Sequence, residues 1–330
     1  MVTIKDIAEE AGVSFSTVSK ALRNSPLVKD KTKKHILQIA EQLGYQPNIA
    51  ARSLVSKKSG AIGVVWPSVE RAALSSLLTA LNDTLEAAGY TVLLSISNIE
   101  AALATFYRFQ VDAIIVFGDE VSHQLMESVT PPNTPIITYG AADFSAWSTV
   151  DVRREQSIRL ALQHLTALGH QNIAYIGALE VADPLQTVKV DAFQEEATKL
   201  ALPLHSHSIV PITGLQTYDG YVAMKQLLAS PHQPTAVISG GIDLTRGILR
   251  ATSEANLLVP NDLSIVSYDN IPQMEEFEVP MTVVGVAIST IAKAITNTVN
   301  ALVAAPKQHT TVHLEPELVI RTSTSVPKKQ

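Results

Sequence analysis

Apolar residues recur at helical spacing near the start of the chain. Four of them stand at i, i+3, i+4 and i+7 and share one face of a short predicted helix: Ile4, Ile7, Ala8 and Ala11. Gly12 supplies the open backbone that ends this helix, and Ser14 can cap a second one in which Val18 and Leu22 face inward. The pattern predicts a helix-turn-helix, whose second helix suits the major groove of DNA, although an ordinary helical hairpin has the same pattern.

A third predicted helix, over residues 30–43, closes a small hydrophobic core and ends at Gly44. Its apolar positions are Ile36, Leu37, Ile39, Ala40 and Leu43. Residues 48–54 resume a short helical stretch, and residues 56–60 read as a linker. A segment of about seven residues is not a stable helix in water, so this stretch needs a partner to fold.

Short apolar runs alternate with helical patterns over the rest of the chain. The predicted strands are 61–66, 91–96, 112–117, 135–139 and 149–152, then 172–177, 208–210, 235–239 and 264–268. The predicted helices are 74–88, 98–109, 121–129, 155–168, 185–200, 218–228 and 244–255. This alternation is typical of the α/β class, with parallel sheets covered on both faces, and the two sets of strands predict two lobes.

Composition and charge separate the first 60 residues from the remainder. The chain has 330 residues and no cysteine, which excludes disulfides, a thiolate nucleophile and Cys-ligated zinc. Residues 1–60 carry ten cations and five anions, a net charge of +5, which leaves −11 for the rest out of a total of −6. A basic first segment on an acidic remainder fits DNA attachment by that segment alone, because phosphate neutralisation supplies most non-specific affinity.

Several motifs together are specific to one family. Residues 3–14 (TIKDIAEEAGVS), 17–22 (TVSKAL), 43–48 (LGYQPN) and 50–54 (AARSL) resemble the lactose/galactose repressor family of bacterial transcription regulators. Matching patterns follow at 169–170, 173–176, 234–237, 259–263 and 266–270. The resemblance implies a three-helix helix-turn-helix domain over 1–46, a hinge helix and linker over 47–58, and a two-lobed periplasmic-binding-protein-like core over 59–330.

The same resemblance implies how the core is divided between its lobes. Lobe 1 takes residues 59–155 and 287–312, and lobe 2 takes residues 156–286 and 313–330. A late helix over 288–303 then returns to lobe 1, and the last strand joins lobe 2. Ligands of such folds bind at the carboxyl ends of the strands, in the cleft between the lobes.

The resemblance also implies a set of DNA contacts. The DNA-binding residues are Thr3, Phe15, Ser16, Thr17, Ser19, Lys20, Arg23, Asn48, Ala51, Arg52 and Leu54. Phe15 and Ser16 occupy positions that read base edges, and Lys20 stands where Arg is usual, so it donates to guanine without the fork geometry of Arg. Arg23 stands where Asn is usual and adds a phosphate contact. Leu54 corresponds to an apolar wedge that two subunits insert into the minor groove.

The expected effector cleft departs from the family pattern. No aromatic residue occurs in 69–74, and Gly241 and Ile242 replace a common Asn-Asp pair. The effector-binding residues that the resemblance implies are Trp66, as a substitute aromatic, with Asp151, Lys189 and Asp269. These side chains predict a polar effector that is hydroxylated or anionic. The loss of the aromatic residue and of the Asn-Asp pair equally permits a cleft that binds no small molecule. Each residue also has a purely structural alternative: Trp66 packs within the lobe, Lys189 is exposed on its helix, and Asp269 caps a turn.

The expected partners are an operator in double-stranded DNA, a sugar-like small-molecule effector and a second copy of the chain. Dimer contacts are expected on helices 72–88 and 244–255, so that the dimer reads a pseudo-palindrome. The tail, 322–330, has no leucine heptad, which predicts no coiled-coil tetramer. The sequence shows neither a signal segment nor a long apolar run, so we expect a soluble cytoplasmic protein associated with the nucleoid and not with a membrane.

Catalysis and metal binding find little support in the sequence. It contains no Gly-x-Gly-x-x-Gly motif, phosphate loop or Gly-x-Ser-x-Gly elbow, which argues against an α/β enzyme. His205 and His207 are the only closely spaced histidines, and we expect neither a metal nor a cofactor. A DNA-binding repressor is therefore the leading interpretation, and a small-molecule binding module with a vestigial DNA-binding segment is the alternative.

Overall fold

The computed structural model describes residues 2–22, 24–45, 58–66, 71–117, 134–140, 147–180 and 183–328. The chain divides into two compact units, Met1–Ser59 and Gly60–Gln330. We call the first unit the head and the second the body.

Three helices form the described part of the head. They are α1 (Ile4–Glu10), α2 (Phe15–Leu22) and α3 (Asp30–Gln42). Their buried side chains form one hydrophobic core, made by Ile7, Val18, Ala21, Val28, Ile36, Ile39 and Ala40. Gly12 and Gly44 adopt φ angles of +62° and +66°, so the backbone turns left-handed after α1 and α3 as predicted.

Two apolar residues predicted on the inner face of the third helix lie elsewhere. Leu37 and Leu43 are exposed, whereas Ile36, Ile39 and Ala40 are buried. One residue advances the helix by about 100°, so Leu37 points away from the face that Ile36 presents to the core. Leu43 follows the last residue of α3.

Lobe 1 of the body is built on a parallel six-stranded sheet. Its strands are β1 (Ala61–Val65), β2 (Thr91–Ser95), β3 (Ala113–Phe117), β4 (Ile136–Tyr139), β5 (Ser148–Val152) and β11 (Thr311–Leu314), in the spatial order β11-β5-β4-β3-β1-β2. Helices α4 (Ala72–Ala87) and α10 (Ile288–Ala304) pack on one face, and α5 (Ile99–Phe109) packs on the other. The predicted helix over 121–129 lies outside the described residues.

Lobe 2 repeats this architecture. Its strands are β6 (Ile173–Leu179), β7 (Ile209–Ile212), β8 (Ala236–Ser239), β9 (Ser264–Asn270), β10 (Thr282–Ala287) and β12 (Glu317–Val319), in the order β12-β10-β9-β8-β6-β7. Only β12 runs antiparallel to its neighbour among these described pairs. The helices are α6 (Arg154–Ala167) and α7 (Pro184–Lys199) on one face, and α8 (Thr217–Leu228) and α9 (Ile242–Glu254) on the other.

The chain crosses between the lobes at three described points. It passes into lobe 2 after β5, returns to lobe 1 between Ala287 and Ile288, and enters lobe 2 again between β11 and β12. The late helix therefore packs in lobe 1 and the last strand pairs in lobe 2, as the resemblance implied. The two-lobed α/β fold with a helix-turn-helix domain is confirmed.

Inside lobe 2, Gly247 sets the distance between two helices and His170 holds the C-terminal segment. A Cβ atom at Gly247 on α9 would lie 1.9 Å from the Thr217 carbonyl oxygen of α8, so these helices touch through their backbones. The buried His170 imidazole bonds Ser264 Oγ at 3.1 Å and the Ser325 carbonyl oxygen at 2.9 Å, which ties the C-terminal segment to the lobe. Burial lowers the pKa of His170.

Candidate functional site

Helix α2 presents two different faces. Val18 is fully buried, whereas Phe15, the first residue of the helix, is 53% exposed. Ser16 and Lys20 are exposed as well. Three residues expected to reach base edges are thus exposed on a helix that also supplies Val18 and Ala21 to the core of the head.

The hydroxyl groups at the start of α2 are organised by Ser14. The Thr17 backbone N–H donates to Ser14 Oγ at 3.2 Å, which is the predicted N-terminal cap. Ser14 Oγ also lies 2.9 Å from Ser16 Oγ and 2.8 Å from Thr17 Oγ1. This network orders the expected base-reading and phosphate-contacting hydroxyls before any ligand arrives.

Thr3 is the N-cap residue of α1 and is held in place by Asp6. Its backbone N–H and its hydroxyl both donate to Asp6 Oδ2, at 2.7 and 2.9 Å. These two hydrogen bonds lower the pKa of the Asp6 carboxyl group. Ser19 is half-buried on α2. The remaining expected DNA contacts lie outside the described residues: Arg23, Asn48, Ala51, Arg52 and Leu54.

A cavity of about 90 Å³ lies between the two lobes. Strand ends from both sheets and helices from both lobes line it, as expected for this class of fold. Its polar lining residues are Arg71, Tyr139, Arg154, Gln186, Lys189, Tyr268, Asp269 and Asn270. The other wall is apolar and is made by Leu74, Leu77, Val286, Ile288 and Ile291. The cavity thus combines a charged side with an aliphatic side.

Lys189 and Asp269 meet in this cavity from α7 and the end of β9. Lys189 is only 4% exposed; its Nζ lies 3.7 Å from the centre of the Tyr268 ring and donates to the Gly240 carbonyl oxygen at 3.4 Å. Asp269 Oδ2 accepts from the Ile242 N–H at 3.1 Å, at the start of α9. Burial raises the pKa of Asp269, against the opposing effects of Lys189 and Arg71.

Asp151 stands behind the cavity and acts on it through Arg154. Its carboxylate is buried and lies 2.5 Å from Arg154 Nη1. Burial lowers the pKa of the Arg154 guanidinium, but Asp151, Tyr268 and Tyr139 raise it by more, so the net change is upward. Arg154 therefore brings a permanent positive charge to the cavity wall.

Trp66 is not among the described residues that line the cavity, so its expected role as an aromatic platform needs correction. The indole is fully buried in lobe 1 and meets the Phe117 ring edge-on at 4.2 Å between centroids. Its ring faces are covered by core side chains, which leaves no surface for stacking on a ligand. Trp66 packs within its lobe.

Arg154, Gln186 and Arg71 are among the cavity residues that were missed in the sequence. Arg154 follows Asp151 by three residues, which places both at the strand-to-helix junction, and Gln186 precedes Lys189 by three and shares its helix face. Arg71 lies in the 69–74 stretch, where the family pattern has an aromatic residue and gives no sign of a cation. Helical spacing around Lys189 and Asp151 was the signal that could have found the first two.

Hydrogen bonds also join the lobes beside the cavity. The Ala72 N–H of α4 donates to Asp243 Oδ2 of α9 at 3.2 Å, and Gln273 Nε2 donates to Ser76 Oγ at 2.9 Å. A carboxylate at a helix N-terminus is favourable because it faces unsatisfied N–H groups. Asp243 of lobe 2 thus caps a helix of lobe 1.

Two families match separate parts of the chain. Residues 3–48 match the family described as "Bacterial regulatory proteins, lacI family", and residues 162–324 match a "Periplasmic binding protein-like domain". In the described part of the chain, no helix has both the length and the apolar character needed to cross a membrane.

Individual proteins resemble the chain over most of its length. Catabolite control protein A of Priestia megaterium is 32% identical over 300 residues, covering 86% of this chain and 89% of the relative. The probable HTH-type transcriptional repressor ExuR of Bacillus subtilis (strain 168) is 30% identical over 284 residues, covering 82% of each. The lac repressor dimer bound to operator and the anti-inducer ONPF superposes with a TM-score of 0.83 at 25% identity, covering 98% of this chain and 99% of that one.

Together the head, the bilobed body and these relatives define a DNA-binding transcriptional regulator. The chain belongs to the lacI family of bacterial regulatory proteins.

Proposed function

We propose that the chain represses transcription by binding a pseudo-palindromic operator as a dimer, under the control of a small polar effector in the cleft. The exposure of Phe15, Ser16 and Lys20 on α2 carries this proposal, because side chains of such a helix read base edges in the major groove. Thr17 and Ser19 contact phosphates beside them. Lys20 supplies a charge that favours DNA over neutral partners.

The hinge completes the operator complex. Residues 47–58 form a helix and linker between the helix-turn-helix domain, 1–46, and the core, 59–330. Within that segment Asn48, Ala51 and Arg52 contact DNA, and Leu54 enters the minor groove. Arg23 and Thr3 add backbone contacts that set the register of the head on the duplex.

The test is a gel-shift titration of Leu54→Ala with a palindromic operator at several salt concentrations. We expect tight operator binding to be lost while weak, salt-sensitive binding to random DNA remains, because the wedge acts only at the bent operator centre. Leu204→Ala, at an exposed leucine of the body, is the matched control and retains operator affinity. Unchanged operator affinity of Leu54→Ala would contradict the hinge assignment.

Dimerisation through α4 and α9 is part of the proposal. Beside α9, an apolar groove on the surface is lined by Leu249, Leu257, Leu258, Phe277 and Val279. Leu258 is 62% exposed there, and apolar surface of this kind favours a partner chain. A second copy of this chain covering the groove spaces the two heads for two half-sites.

The effector acts through the relative arrangement of the lobes. Asp269, Lys189, Arg154 and the Asp151 behind it supply polar groups of both signs, which fits a sugar or sugar derivative. An effector changes operator affinity only by binding one lobe arrangement better than the other. The hydrogen bonds that Asp243 and Gln273 make between the lobes stabilise the lobe arrangement seen here. An effector that favours another arrangement has to break them, and one that favours this arrangement adds to them.

The proposed regulator works on the nucleoid in the cytoplasm without catalysing a reaction. The relatives matched over most of the chain are transcription regulators, in agreement with this role. Neither a cofactor nor a metal enters the proposed mechanism.

A further inference from the structure

The charged groups of the cavity between the lobes already bind other parts of the body. Lys189 Nζ donates to the Gly240 carbonyl oxygen at 3.4 Å and lies 3.7 Å from the centre of the Tyr268 ring. The Arg154 guanidinium pairs with Asp151 at 2.5 Å. These contacts hold the charged side chains in place, so a ligand in the cavity shares them with the protein.

Gln186 differs from these charged groups. Its backbone N–H donates to Asp183 Oδ1 at 3.3 Å, which fixes the residue in the first turn of α7. The residue is only 7% exposed and lines the cavity one helical turn before Lys189. Its side-chain oxygen, Oε1, is buried and accepts no hydrogen bond from the part of the chain that the structure describes. The folded protein thus keeps a buried acceptor unsatisfied, which opposes folding.

The place of this acceptor in the fold points to a ligand. Other described residues also have unpartnered buried polar atoms, for example Trp66 Nε1 and Tyr175 Oη, but they do not line the cavity. Within the described ranges, Gln186 alone combines a position in the cavity wall with such an atom. Buried polar groups are nearly always hydrogen-bonded, and the exceptions that a protein retains are expected at functional sites.

We infer that Gln186 selects the effector by accepting a hydrogen bond from one of its hydroxyl groups, so that the effector is a hydroxylated molecule of the sugar class. The inference rests on the proposed effector role of the cleft. A hydroxyl group suits this wall because it donates to Gln186 Oε1 while its own oxygen accepts from another donor of the wall, such as the Arg154 guanidinium. A ring N–H group, as in a nucleobase, only donates.

The unpartnered acceptor predicts two opposite effects of one substitution. Gln186→Leu removes the oxygen and keeps a side chain of similar size, so the variant without ligand should be at least as stable as the wild type. The same change leaves a ligand hydroxyl without its partner, so the dissociation constant of that ligand should rise roughly 5- to 100-fold. A residue that only packs in the wall would instead lose stability on substitution and leave ligand preference unchanged.

The test measures binding to the full chain by calorimetry and thermal shift. The ligands are D-ribose, D-xylose, D-glucose and D-galactose, the monodeoxy analogues of each, and adenine and guanine as ring N–H donors without hydroxyl groups. We expect one sugar to bind the wild type and one of its deoxy analogues to bind more weakly. In Gln186→Leu this sugar and that analogue should bind equally, because the acceptor that distinguishes them is gone. Gln194→Leu, at an exposed glutamine of the same helix, is the matched control and should keep the wild-type preference.

Gln186→Met, whose side chain has the same length as glutamine, repeats the measurement in case leucine does not fit the wall. Four outcomes overturn the inference. They are lower stability of both variants without ligand, an unchanged sugar preference in both, equal binding of the sugar and all its deoxy analogues by the wild type, and tighter binding of a nucleobase than of any sugar. Each of these leaves the effector role of the cleft standing. If none of the ligands binds the wild type or changes its operator complex in a gel shift, the effector role is removed and the inference with it.

Discussion

Phe15 and Val18 lie three residues apart on α2 in opposite surroundings, one exposed and one fully buried. We expect Phe15→Ala to weaken operator binding by about 1–3 kcal/mol, the range for one base-reading contact, with unchanged thermal stability. Val18→Ala should instead lower the stability of the head by about 1.5–3 kcal/mol, because it removes buried methyl groups and leaves a cavity. Gel shifts and thermal denaturation of the isolated variants measure the two effects.

The reverse result would contradict the assignment of Phe15 to DNA binding and of Val18 to the stability of the head. If Phe15→Ala unfolded the head, or if Val18→Ala weakened DNA binding at full stability, the two faces would be wrongly assigned. Ser206→Ala, at an exposed position of the body, serves as a control for both measurements.

His170 makes the stability of lobe 2 depend on pH. Its pKa is lowered by burial, so the unfolded chain binds the proton more readily than the folded one. The stabilising contribution of the neutral ring is present above the ordinary histidine value near 6.5 and is lost as pH falls through the lower folded value. We expect urea midpoints to fall between pH 7.5 and 5, and to fall less in His170→Gln; equal slopes would exclude His170 as the cause.

The contact between α8 and α9 is set by glycine. A Cβ atom at Gly247 would meet the Thr217 carbonyl oxygen at 1.9 Å and the Tyr221 nitrogen at 2.4 Å, and backbone atoms cannot move aside as a flexible side chain can. Gly247→Ala should therefore cost at least about 3 kcal/mol through overpacking, measured by chemical denaturation. Gln226→Ala, on the exposed side of α8, should be nearly neutral. A stable Gly247→Ala variant would rule out backbone contact between the helices.

Elements buried on both sides were the most predictable from sequence. The strands of the two sheet interiors read as short apolar runs, and β1, β3 and β8 were located to within one or two residues. Strand β10 was missed although it is buried, because no predicted helix separates it from β9, only the Pro272–Met274 turn. Strands β11 and β12 have only four and three residues, all of them exposed or half-buried, so their apolar signal is weak.

The candidate sites were predictable to different degrees. Lys189 and Asp269 were identified from the family pattern, and both line the cavity. Arg71, Arg154 and Gln186 were not, because their roles depend on which strand ends meet across the lobes, a long-range property that local spacing does not contain. Trp66 was misassigned because a side chain at the end of a strand can face either the cleft or the core of its lobe, and the local sequence does not distinguish the two.

At the scale of the whole molecule, we expect Leu258→Glu to prevent dimerisation by placing a charge in the apolar groove beside α9. Analytical ultracentrifugation should then show the 35.5 kDa monomer, and tight operator binding should be lost with the head intact, because two half-sites are no longer bound together. Leu204→Glu, at another exposed leucine, should remain dimeric. A dimer of Leu258→Glu at the same concentration would place the interface elsewhere.

The crossing between Ala287 and Ile288 limits where the chain can accept inserted or deleted residues. Strand β10 ends and α10 begins at adjacent residues, with no spare residue between a sheet in one lobe and a helix in the other. A single inserted residue would turn the start of α10 by about 100° and displace its apolar stripe from the lobe 1 sheet. The crossing between β11 and β12 includes two residues outside either strand, Glu315 and Pro316, whereas the crossing at Ala287 and Ile288 includes none. Insertions and deletions should therefore be tolerated between β11 and β12, whereas between Ala287 and Ile288 they should disrupt the fold.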